Sequence, residues 1–124
     1  VSVEMQVDVH GIPELQLKLD RLDQSVRSRV DEALDFEVSA MQTAAQSLAP
    51  KRTGYLASTI FAERVGEWMF KLGARAPYAF FVEFGTRFMQ ARGFLSRALE
   101  LSLPSLVQRV DRAVEEAIEE ASRG

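Results

Sequence analysis

The sequence predicts an α+β fold in which a long N-terminal amphipathic helix and a C-terminal helical region pack on a small, mainly antiparallel sheet. Three observations predict it. Residues 1–10 alternate apolar and polar without a fault. Apolar residues then recur every third or fourth position from Leu15 to Leu48 and again from Phe94 to Ala121. Between these tracts, two short runs flank Gly66-Glu67, the signature of a hairpin.

In the first ten residues Val1, Val3, Met5, Val7 and Val9 share one face, and Ser2, Glu4, Gln6, Asp8 and His10 share the other, which predicts a half-buried strand over 1–10. Gly11 ends it, and Pro13-Glu14 suits the first turn of a helix, where a missing N–H is harmless and a carboxylate meets the helix dipole favourably. Leu15, Leu19, Leu22, Val26, Val30, Leu34, Val38, Met41, Ala45 and Leu48 then predict one helix over 14–49, stopped by Pro50. Unbroken, it would measure about 54 Å against a radius of gyration of about 14 Å, an overhang that calls for self-association or docking. A hairpin region follows over 55–75, with a type II′ turn at Gly66-Glu67 and with Trp68, Phe70 and Leu72 on one face. Pro77 and Gly85 bracket a short helix carrying Tyr78, Phe81, Val82 and Phe84. Residues 86–93 have no period and read as a loop, and 94–123 read as helical, with Pro104 either kinking one helix or separating two. The whole of 1–124 is expected to form one domain.

The chain is 47% hydrophobic and 27% charged, and no apolar run approaches the ~20 residues of a membrane span, so no membrane role is expected. No leader pattern opens the chain and there is no cysteine, which together predict synthesis in a reducing cytoplasm. The net charge of −3 is unevenly spread. Residues 1–49 carry 4 Lys/Arg against 9 Asp/Glu, residues 50–97 carry 8 against 3, and residues 98–124 carry 3 against 6. The middle is basic and both ends are acidic.

Three stretches carry a resemblance. Pro50-Lys-Arg-Thr53-Gly54-Tyr-Leu56, with Ser58 and Ile60, is similar to a P-x-x-T-G-x-L-x-x-S-I signature. Tyr78-Ala79-Phe-Phe-Val82-Glu83-Phe-Gly85-Thr86 is similar to Y-A-x-x-V-E-x-G-T. Phe94-Leu95 with Ala98 is similar to the F-L-x-x-A that follows, with Gly93 where a Pro usually stands. In order and spacing the chain resembles a family of phage neck proteins, the tail-component and tail-completion proteins related to minor tail protein Z of lambda-like phages. The resemblance covers about residues 13–124. It implies a structural virion protein at the head-tail junction, assembled in the host cytoplasm and working as a ring of sixfold or possibly twelvefold symmetry. Its partners would be copies of itself and neighbouring neck and tail proteins, with DNA only as channel contents. No cofactor and no catalysis are implied.

The residues themselves bear on that expectation. Thr53-Gly54 suits a turn in which Thr caps free N–H groups and Gly takes positive φ. Glu83 lies in the aromatic setting of Phe80, Phe81 and Phe84, and if buried it needs a backbone hydrogen bond or a cation such as Arg75, Arg87 or Lys51. His10 has no companion at metal-ligand spacing and reads as a solvated strand end, and Glu115, Glu116, Glu119 and Glu120 read as a solvated helix face. No catalytic or metal-binding residue is therefore expected. A subunit contact is expected to bring Arg75, Arg87 or Arg92 towards Asp31, Glu32 or Asp35 on a neighbour's long helix, and assembly is expected to bury the apolar Phe88 and Met89 of the loop. The alternative is a nucleic-acid-binding accessory module. It would use Lys51, Arg52, Arg64, Lys71, Arg75, Arg87, Arg92 and Arg97 with the interleaved aromatics Tyr55, Trp68 and Phe88.

Overall fold

The computed structural model describes residues 2–24, 27–52 and 54–123. Strand β1 (Val3–Asp8) pairs antiparallel with β3 (Met69–Ala74), and β3 pairs antiparallel with β2 (Ile60–Arg64), giving the order β1-β3-β2. Period-two alternation builds the inner face: Val7 faces Phe70, Met5 faces Leu72, and Ala62 faces Leu72 from the other side. On the outer face Phe61 lies opposite Gly73. A Cβ at Gly73 would sit 2.7 Å from the Phe61 ring and 2.6 Å from the Val3 carbonyl oxygen, so the glycine lets that ring lie flat on the sheet. The Arg75 guanidinium stacks over the same ring at 3.9 Å.

Helix α1 (Pro13–Asp20) anchors Leu15 and Leu19 in the core, and α2 (Ser28–Leu48) crosses the inner face of the sheet, chiefly along β2. After the short helix α3 (Tyr55–Ser58) and the hairpin come α4 (Ala79–Phe84) and α5 (Phe94–Arg123). Helix α5 packs along α2 and touches α1, burying Phe94, Leu95, Ala98, Leu106, Val110 and Val114 on one stripe. Among the described residues, no helix is long and apolar enough to cross a membrane.

The α+β class holds, but the long helix is the C-terminal one. The single N-terminal helix expected over 14–49 is two helices, α1 ending at Asp20 and α2 starting at Ser28, and Val26 lies outside the described residues. Leu22 bonds back to the Leu19 carbonyl in a tightened last turn. Asp20 is drawn to His10, and Asp23, a residue that competes for backbone hydrogen bonds, follows. The apolar spacing nevertheless runs on through the break, because Leu22 still packs on the core. The overhang passes to α5, which is about 45 Å long at ~1.5 Å per residue and leaves its last turn exposed. Pro104 separates nothing: α5 continues through it.

Smaller corrections follow the same logic. The expected 1–10 strand is described over Val3–Asp8, after which Val9–Gly11 form a 3-10 turn that buries Val9 and frees His10. The hairpin closes through the Val65 N–H and the Met69 carbonyl across the three residues Gly66, Glu67 and Trp68. Gly66 is not at positive φ, so the turn is not type II′. Helix α4 begins at Ala79, and Pro77 lies before it.

Candidate assembly surface

Helix α4 ends at Gly85, whose φ of +79° suits glycine and whose Cβ, if present, would lie 2.7 Å from the Ala91 nitrogen. Just before this stop stands Glu83, only 2% exposed. Its Oε1 accepts the Leu95 N–H at 2.7 Å, and its Oε2 accepts the Ser96 hydroxyl at 2.7 Å and the Ser96 N–H at 3.3 Å. These N–H groups belong to the first turn of α5, where no intrahelical acceptor exists. Glu83 is thus the N-cap of a helix other than its own, and the positive end of the α5 dipole compensates its buried charge. Of the two alternatives, backbone hydrogen bonding is the one found. Arg75, Arg87 and Lys51 make no ion pair with Glu83.

The 86–93 segment is tied at both ends. Thr86 and Met89 exchange backbone hydrogen bonds at 2.8 and 3.2 Å, the Phe88 N–H reaches Thr86 Oγ1, and the Arg92 and Gly93 N–H groups return to the Val82 and Glu83 carbonyls. The turn holds Phe88 outward, 90% exposed, with the Arg87 guanidinium over its ring.

The first motif meets the second beside α4. Gly54 takes φ +79° at the start of α3, as a Thr-Gly turn requires, while Thr53 lies outside the described residues. Thr59 then fastens the strand that leads into α4: its carbonyl accepts the Arg75 N–H and its Oγ1 the Ala76 N–H. Pro50, Arg52, Leu56, Tyr78 and Val82 line an open groove of about 380 Å³, and the Tyr55 and Tyr78 rings stand 6.2 Å apart. Ala79, Phe94 and Leu95 are fully buried beneath. The described motif residues, Pro50, Gly54, Leu56, Tyr78, Ala79, Val82, Glu83, Gly85, Thr86, Phe94 and Leu95, therefore meet around α4.

The apolar residues expected on this short helix are mostly outside. Six residues make little more than one turn and a half, and Ala79 and Glu83 occupy its buried side. Tyr78, Phe80, Phe81 and Phe84 are exposed, with Phe80 edge-on to Phe81 at 5.9 Å and tilted to Phe84 at 4.8 Å.

The charges are arranged differently from the sequence expectation. Asp31 and Asp35 pair through Oδ1 with Arg64 of their own chain at 3.1 and 3.3 Å, and both carboxylates remain partly exposed. Glu32 is exposed beside Arg29. The acidic face of α5 is paired too: Arg29 with Glu116 and Glu120, Lys18 with Asp111 and Glu115, Arg123 with Glu119. Arg29 holds the Glu120 carboxyl below the usual carboxylate range. Of the aromatics expected to interleave with the basic segment, Trp68 lies at the opposite end of β3 from α4, stacked on Arg27. His10 is solvent-accessible but sits in the 3-10 turn past β1 and is paired: its Nε2 is 2.6 Å from Asp20 Oδ1, and this hydrogen bond raises its pKa above 6.5. Among the described residues no group of three or more side chains is placed to hold a metal ion.

One buried charge escaped the sequence reading. Glu37, 3% exposed on α2, accepts Arg109 Nε at 2.7 Å and Ser105 Oγ at 3.0 Å, while Arg109 stacks on Phe36. The only trace in the sequence is a carboxylate directly preceding Val38 on the apolar stripe.

Comparison with protein-family models, with curated proteins and with solved structures gave no match, so the family resemblance rests on its three motifs.

Proposed function

We propose that this chain is a structural virion subunit of a tailed bacteriophage. It would complete the upper end of the tail and join head to tail as part of a sixfold or twelvefold ring. The observation that carries this reading is the meeting of the motif stretches around α4. The side chains that carry the resemblance lock α4 to α5 through Glu83 and close the 86–89 turn, and they leave aromatic rings facing outward. Residues spent on holding a surface in shape suit an assembly part, whose work is complementarity and not turnover. Exposed Leu17 on α1 and Leu101 and Ile118 on α5 offer apolar area to a ring contact elsewhere on the molecule.

The nucleic-acid reading keeps one supporting observation, the cations around α4 that lack carboxylate partners. It loses Trp68 as a stacking platform beside them. Gold-labelled antibody against the chain, imaged on phage particles that encode it, tests the proposal. Label at the head-tail junction is expected, and label confined to unassembled protein in the lysate would refute it.

A further inference from the structure

Eight of the fifteen Lys and Arg residues form no ion pair within the described residues, and six of the eight are Lys51, Arg52, Arg75, Arg87, Arg92 and Arg97. Lys51, Arg52 and Arg97 lie in the motif segments, and Arg75, Arg87 and Arg92 lie between them. Arg52 lines the groove with Tyr78 and Val82, Arg87 follows the Gly85 stop, Arg92 bonds back to Val82, and Arg97 begins α5. Between Arg75 and Arg97 the single acid in the sequence, Glu83, is buried under α5.

The acids elsewhere are spent or scattered. Among the described residues, Asp8, Glu14, Glu32, Glu63 and Glu100 are the carboxylates with no ion pair or hydrogen bond, and they fall on five different elements: β1, α1, α2, β2 and α5. A second copy of this chain therefore offers its unpaired carboxylates only singly, the clustered acids of α5 being already matched by Lys18, Arg29 and Arg123. Two α4 faces would meet cation to cation.

We propose that the aromatic face of α4, flanked by Arg52, Arg87 and Arg92, docks an acidic amphipathic segment of a different protein. A cluster of Phe flanked by arginines has the anatomy of a protein interface, an apolar centre of aromatic anchors inside a polar border. Phe80, Phe81 and Phe84 pack against one another at steep angles, not as separated parallel platforms along a groove, which is the arrangement that strings of bases use. Under the proposed function, on which this inference rests for the partner's setting, the occupant is a neighbouring protein of the neck or tail.

The probe is a synthetic amphipathic peptide with Leu and Phe on one helical face and Glu on the other. It is titrated into the full chain by fluorescence anisotropy at low and high salt, beside its Lys-for-Glu counterpart and a short oligothymidine. The acidic peptide is expected to bind, to weaken with salt, and to lose about tenfold or more in affinity with Phe84→Ser and with Phe81→Ser, both exposed positions. Arg87→Glu is expected to lower it further at low salt than at high salt. Oligothymidine binding tighter than the peptide would assign the face to nucleic acid. Self-association abolished by Phe84→Ser would assign it to a second copy. Equal affinity in all variants would remove the site, and any of the three overturns the proposal. Particle localisation reads out the neck role independently, so either idea can fail while the other stands.

Discussion

Replacing Glu83 tests the most specific structural statement made about α4. The Ala variant strands the buried Leu95 N–H and removes the Glu83 acceptor of the Ser96 N–H and hydroxyl, the hydroxyl keeping the Gly93 carbonyl at 3.3 Å; each buried group left unpaired is worth about 1–3 kcal/mol. It also removes a charge from the positive end of α5, worth up to about 2 kcal/mol in partly buried settings. Against these losses stands the relief of a desolvated carboxylate, so the net expected is about 2–4 kcal/mol for Glu83→Ala. Glu83→Gln keeps an acceptor for the Leu95 N–H but turns an amide NH2 towards the Ser96 N–H and loses the charge, for about 1–2 kcal/mol. Equilibrium denaturant unfolding gives both numbers, and the two variants should differ from wild type in midpoint with little change in slope. A Glu83→Ala protein within ~0.5 kcal/mol of wild type, the range of an indifferent surface substitution, would refute the cap.

Three further outcomes are expected. Gly85→Ala forces an L side chain into positive φ against the Ala91 nitrogen, and should destabilise by about 1–3 kcal/mol in the same unfolding assay. Arg109→Ala leaves the buried Glu37 carboxylate to Ser105 alone and should lose about 1–3 kcal/mol, whereas Glu37→Leu, which removes the charge itself, should be close to neutral; the thermal midpoints of the two variants decide. The raised pKa of His10 means that its bond to Asp20 stabilises fully below pH 6.5 and fades as pH rises through the folded value. His10→Gln should therefore flatten that part of a stability-against-pH curve.

Period and punctuation made much of this fold readable in advance. The alternation of Val3, Met5 and Val7, the existence of a hairpin around Gly66 and the stop at Gly85 each follow from a local rule, whereas the turn type at Gly66 and the start of α4 do not. The N-terminal helix was misjudged because Leu22 keeps the helical spacing of Leu19 while sitting beyond the end of α1. Periodicity reports which residues are buried and is blind to the direction in which the chain leaves a turn. The role of Glu83 was half legible: its need for a partner followed from burial, but a partner twelve residues on, supplied by backbone N–H groups, carries no residue-type signal. The same limit hid Glu37, whose Arg109 lies seventy-two residues away. Charge by segment reports composition and not pairing. The acids of α2 and α5 that looked available are largely engaged by Arg27, Arg29, Arg64 and Lys18, and only pairing in space shows which cations remain.

The most direct measurement of the assembly role is made on a phage that encodes this chain, with the gene inactivated and the particles counted by electron microscopy. Filled heads and tails that lack a completed upper end are expected to accumulate unjoined, with joining restored when the wild-type chain is supplied in trans. Normal yields of complete infectious particles without the chain would contradict it.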